Sequence, residues 1–258
     1  MTVFRNRAIG ALIIIMIALV VIGYIIARQY YRSANRAVDP RIVPARELYS
    51  KYDSYAQEGN YHKIFALLDS VLTIYESYPH YQNSFEVGVI YNNRAAGYIT
   101  ISLFTDSIRA DYNPFSDLSP DSLMNMAESD IERAVSIYNN WINSYKDKSL
   151  VKIIDQIKTV FMKGMNTNDP DLENKYTETR AKEIMSAVEE TDRRLSVCYT
   201  NLGVIKRQQG KYEEAARCYE KALSLWDRNL SAENNLNILL GRPLKKRNII
   251  QRLFPPEK

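Results

Sequence analysis

The sequence predicts an all-α protein: a solenoid of antiparallel helical hairpins preceded by one N-terminal transmembrane helix. Three observations predict it. Residues 9–27, IGALIIIMIALVVIGYIIA, carry no charge. Behind them apolar residues recur at helical spacing through most of the chain, and no run of alternating β-branched residues stands between turn signals. Near the C-terminus, two such helices are joined at a glycine and carry small residues where they would cross. The 258 residues are 46% hydrophobic with nine Gly and nine Pro, which excludes a disordered or collagen-like chain. Two cysteines exclude a disulfide-built scaffold and a four-cysteine zinc module.

The N-terminal tail, 1–8, carries Arg5 and Arg7. As a helix, the 19 uncharged residues that follow would be about 28 Å long, close to a bilayer hydrocarbon core of about 30 Å. Arg28 closes the run, and Gln29, Tyr30, Tyr31 and Arg32 supply rings and cations suited to the headgroup level. A cleaved signal peptide fits less well. Its apolar core is shorter, and a cut after Ala27 would put Ile25 two residues before it and Arg28 after it. Cationic residues flank both ends, so orientation is nearly balanced, with a slight lean towards a cytoplasmic body. Residues 28–44, with Pro40 and Pro44, read as a juxtamembrane linker.

Charge is split along the chain. Residues 1–50 hold seven Arg against one Asp and one Glu, and residues 242–258 hold six cations against one Glu, so each end is +5 in a protein of net charge +4. The acidic body between these basic ends does not suit a nucleic-acid partner, whose binding face should be positive. A membrane suits the ends better.

The helical domain spans 45–241, with an insertion at about 105–120. Ser119-Pro120-Asp121 and Asn168-Asp169-Pro170-Asp171 each offer a cap, an early proline and an early acid. Residues 150–161 give a short apolar helix, and 170–209 read as one long helix, so 149–195 fits no hairpin repeat. The clearest pattern is Tyr199-x2-Leu202-Gly203, then Gly210-Lys211-Tyr212-Glu213-Glu214-Ala215, then Tyr219-x2-Ala222. Gly203 and Ala215 are small where two helices approach. Tyr199, Leu202, Tyr219 and Ala222 fill the seam, and Gly210 can end the first helix in a left-handed conformation.

This pattern resembles the tetratricopeptide repeat (TPR) over 196–229, with Lys206 where an aromatic is usual and Asp227 where proline is usual. Degenerate copies are expected at about 45–78, around Gly59-Asn60-Tyr61, and at about 88–141. The latter combines Tyr91, Arg94, Ala95 and Tyr98 with Ile131, Ala134, Tyr138 and Trp141. Residues 230–241 read as a closing helix, which a solenoid needs.

In such a repeat, places on the first helix face a concave groove. The resemblance puts Thr200, Asn201, Asn234 and Asn235 there, with Asn92 and Asn93 in the earlier unit and Arg207 and Gln208 beside them. An asparagine ladder can meet an extended peptide through both amide and carbonyl; equally, asparagine is simply common at that place. In the basic tail, 242–258, Lys245, Lys246, Arg247 and Arg252 stand among Ile249, Ile250, Leu253 and Phe254. They would lie on an anionic lipid surface or, alternatively, pack back on the solenoid. His62 and His80 show no metal-ligand spacing, and Asp106, Asp111, Asn113 and Asp117 lack the glycine and terminal Glu of a calcium loop. Cys198 and Cys218 read as buried thiols, or as a disulfide if the body is exported. No catalytic motif is present, so no enzyme, cofactor or metal is expected. The expected function is a single-pass membrane protein that binds a protein or peptide partner as an adaptor, scaffold or assembly factor. The alternative is a structural subunit of a cell-envelope or secretion complex.

Overall fold

The computed structural model describes residues 38–167 and 169–246. The expected tail 1–8, the transmembrane run 9–27, and Arg247 and Arg252 lie outside the described residues. Among the described residues no helix is long and apolar enough to cross a membrane, and no strand is present.

Among the described residues nine α-helices follow one another: α1 Val43–Tyr49, α2 Tyr52–Glu58, α3 Tyr61–Glu76, α4 Phe85–Phe104, α5 Pro120–Tyr145, α6 Leu150–Met162, α7 Pro170–Gln208, α8 Tyr212–Leu225 and α9 Leu230–Leu239. The helical body begins before residue 45. A 3-10 turn at Pro40–Ile42 buries Ile42, and Pro44 stands in the first turn of α1, so the expected linker prolines initiate structure. Side-chain caps start the helices where the sequence offers them. Asn60 accepts from the Lys63 amide, Ser119 from Ser122, Asp169 from Asp171 and Leu172, and Asn229 from Ala232. Gly59 and Gly210 end their helices at φ of 65° and 74°, where a side chain would be strained.

The first hairpin is α1 and α2 against α3, its first helix broken at Ser50–Lys51. The second is α4 against α5. Residues 105–119 between them hold two 3-10 turns, and Phe115 packs edge-on to Phe65 at 4.7 Å, so the insertion is pinned to the core. Gly88 makes a close approach to Tyr138 across this hairpin: a Cβ on it would lie 2.8 Å from that ring, and Ala95 and Tyr138 are buried in one core cluster. Helix α4 is apolar nearly all round because α3 and α5 flank it; a Cβ on Gly97 would lie 2.9 Å from Phe65 on the opposite side.

The segment that fitted no repeat holds the two ends together. Helix α7 is continuous over 39 residues, about 58 Å. Its first half packs on α6 with Ala181 and Ile184 in one core cluster; its second half places Leu195, Cys198 and Ile205 in the other. In the first half Arg180, 2% exposed, is bidentate to Glu86 at 2.5 and 3.2 Å and lies 3.1 Å from Glu183. Its Nε donates to His80 Nε2 at 3.1 Å, and its guanidinium covers the Tyr81 ring at 4.6 Å. Burial would raise the Glu86 pKa, but the Arg180 charge together with hydrogen bonds from Arg180, the main chain and Ser84 outweighs it and holds the carboxyl down at about 2. Burial, then the same cation, lowers His80 to about 3, leaving a neutral acceptor. His80 is thus the partner of a buried cation.

Candidate polypeptide-binding face

Of the first helices of successive hairpins, α1, α4, α7 and α9, the last three carry the asparagines singled out in the sequence. Each pair of neighbouring residues divides its work between two neighbouring helices. Asn93 Nδ2 donates to Tyr49 of α1 at 2.7 Å, Asn201 Nδ2 donates to Asn92 of α4 at 3.1 Å, and Asn235 Oδ1 accepts from Arg207 of α7 at 3.1 Å. These three reach back to the preceding first helix. Asn92, Thr200 and Asn234 face forward. Asn92 Oδ1 also accepts from Cys198 at 3.4 Å, Thr200 Oγ1 accepts from Asn229 at 2.9 Å, and Asn234 meets the main chain of Lys245.

The ladder therefore exists as a polar seam between helices, and its members differ in access. Asn92 and Thr200 are buried, at 6% and 5% exposure, so they do not line an open groove as expected. Both tolerate burial because their oxygens are partnered: Asn92 Oδ1 accepts from Cys198 and Asn201 of α7, and Thr200 Oγ1 accepts from Asn229 while donating to the Ser196 carbonyl. Asn93, Asn201, Arg207, Asn234 and Asn235 are half-buried, and Gln208 is exposed. Lys246 is exposed, but Lys245, expected at a membrane surface, pairs with Glu233 on α9.

Two features beside the seam left no sequence signal. Arg194 acts electrostatically on Tyr49, Tyr138 and Cys198, and its buried Nε has no hydrogen-bond partner among the described residues. Between α1 and α7 lies an open cleft of about 480 Å³, lined by Arg46, Phe85, Glu86, Lys182, Glu183 and Glu190. Arg46 and Glu183 bridge it at 2.6 Å. Burial pushes the Cys198 thiol up to about 12, and both Cys198 and Cys218 are free.

The seam of the last hairpin follows the expected residue pattern. Ala215, Tyr219 and Ala222 are fully buried, Tyr199 and Leu202 are half-buried against the second core cluster, and Gly203 leaves room for the Tyr219 ring. A Cβ on Gly203 would fall inside that ring's van der Waals surface. Residues 196–229 match the tetratricopeptide repeat family. Within this repeat Lys206, standing where an aromatic is usual, reaches out to Glu128 of α5, and so does Gln209 at 2.9 Å. The chain is also 32% identical over 93 residues to the N-terminal acetyltransferase A complex auxiliary subunit NAA15 of Arabidopsis thaliana. That stretch is 36% of this chain and 10% of the relative, so the chain spans about a tenth of the protein it matches. No solved structure matches the chain.

Proposed function

We propose that this chain is a membrane-anchored repeat protein that binds another polypeptide along the face of α1, α4, α7 and α9, as an adaptor, scaffold or assembly factor. The observation that carries the reading is the line of half-buried amides across α4, α7 and α9. Amide groups that already exchange hydrogen bonds between helices can exchange them with a backbone. The tetratricopeptide match and the auxiliary-subunit relative support binding rather than catalysis as the mode of action. The uncharged run 9–27 supports attachment to a membrane, which would raise the effective concentration of the face for membrane-associated partners. The slight charge asymmetry favours a cytoplasmic body.

Two experiments test the reading. The intact chain is expected to stay with membranes after a carbonate wash; its release removes the anchor from the proposal. A photo-crosslinking residue at Gln208 is expected to capture a discrete partner in membranes, and one at exposed Glu213 is not. Equal capture from both positions overturns the assignment of the face.

A further inference from the structure

The open end of the stack has a ligand of its own. At Asn92 and Thr200 the forward-facing side chain is closed by the next first helix or its cap, but no helix follows α9 among the described residues. Gly241, at φ 63°, reverses the chain after α9, and residues 242–246 run back along that helix. Asn234 then treats Lys245 as a strand. Its Oδ1 accepts from the Lys245 amide at 2.8 Å, and its Nδ2 donates to the Lys245 carbonyl at 3.0 Å. One side chain thereby satisfies both main-chain groups of one residue, a mode of recognition that asks only for an extended backbone. Sequence preference comes from Glu233, whose carboxylate pairs with the Lys245 ammonium. Exposed apolar side chains stand nearby in sequence: Ile238 and Leu240 at the end of α9 are 53% and 49% exposed, and Leu244 of the returning segment is 57% exposed.

We propose that Glu233 and Asn234 form a docking site for an extended, lysine-bearing polypeptide segment, and that residues 242–246 occupy it in cis until a partner segment displaces them. This rests on the reading of the first-helix face as a polypeptide-binding surface, and it adds the chemistry of the partner and a means of regulation. The seated tail is solvent-exposed and bound through few contacts, so exchange is open to a competitor; its advantage is a tethered effective concentration, about millimolar for a short linker. A segment in trans competes poorly unless it offers more contacts or the tail is unseated.

Substituting Lys245→Pro in the full-length chain removes the N–H that Asn234 receives and lies beyond α9, leaving every helix intact. The probe is a fluorescent peptide of residues 240–248, LGRPLKKRN, titrated by anisotropy against the detergent-solubilised chain. The Lys245→Pro chain is expected to bind it at least tenfold more tightly than the wild type. Adding Asn234→Ala, or replacing the peptide's lysine at 245 by glutamate, is expected to reverse that gain with no change in circular dichroism. Equal affinity for wild-type and Lys245→Pro chains overturns the proposal, as does undiminished binding by the Lys245→Pro/Asn234→Ala chain. Partner capture from Gln208 without any peptide binding at α9 overturns this inference alone and leaves the broader reading standing.

Discussion

Replacing Arg180 by Met removes a guanidinium that is 2% exposed and leaves the Glu86 carboxylate, 24% exposed, without its bidentate partner. Removing one member of a buried pair costs about 3–5 kcal/mol, because the remaining charge stays desolvated. The Glu86 pKa supplies an independent figure. Its fall from 4.5 to about 2 corresponds to stabilisation on the order of 3 kcal/mol at neutral pH. The folded pKa is depressed, so this contribution is complete above about 4.5 and is lost as pH falls through about 2. In the Arg180→Met chain burial, the largest influence on Glu86, is opposed only by main-chain and Ser84 hydrogen bonds, so the pKa rises and acidification costs the variant less than the wild type. Urea unfolding followed by far-UV ellipticity should show a midpoint lower by about 1 M or more at pH 7. The gap should narrow steadily towards pH 3, and Arg180→Met/Glu86→Gln should recover part of it. A midpoint unchanged at pH 7, or a gap that stays constant with pH, refutes the claim that this pair ties α7 to α4.

Three further outcomes are expected. Ala215→Leu should overpack the α7–α8 seam, where Ala215 is fully buried, and cost about 1–3 kcal/mol; Glu213→Leu, at an exposed position, should leave the melting temperature nearly unchanged. Asp130, 3.2 Å from Arg94, is raised to about 6 by burial, which that cation only partly offsets. Its folded pKa lies above the unfolded one, so its contribution is full below about 4 and is lost as pH rises through 6; Asp130→Asn should remove this dependence and stabilise the protein at pH 7 in denaturant titrations. Asn201→Ala removes a donor to Asn92 and should cost about 0.5–1.5 kcal/mol of stability besides weakening partner capture; Gln208→Ala should weaken capture alone.

Much of the helical order was legible because each start and stop is a local event. A side-chain oxygen caps Tyr61, Pro120 and Pro170 within three residues, and Gly59 and Gly210 supply left-handed turns, so the information lies in adjacent residues. The last hairpin was legible for a related reason: Gly203 and Tyr219 meet across the short turn at Gly210, which leaves little freedom of register. The second hairpin was less legible, since the 105–119 insertion separates its helices and nothing local in the sequence shows that Gly88 clears the Tyr138 ring.

The sequence by itself determined the all-helical class, the caps, the last repeat and the uncharged run 9–27, because periodicity and capping depend on neighbours along the chain. The tertiary structure alone decided what the polar residues do. Arg180 finds Glu86 across 94 positions, Asn201 finds Asn92 across 109, and Asn234 finds the chain's own tail. A buried cation or amide takes whichever partner the packing of distant helices brings within hydrogen-bond reach, and no spacing within one helix encodes that partner. For the same reason the asparagines, alike in sequence, separate into buried seam residues at Asn92 and accessible ones at Asn93, Asn201, Asn234 and Asn235: neighbouring places on a helix point to different neighbours.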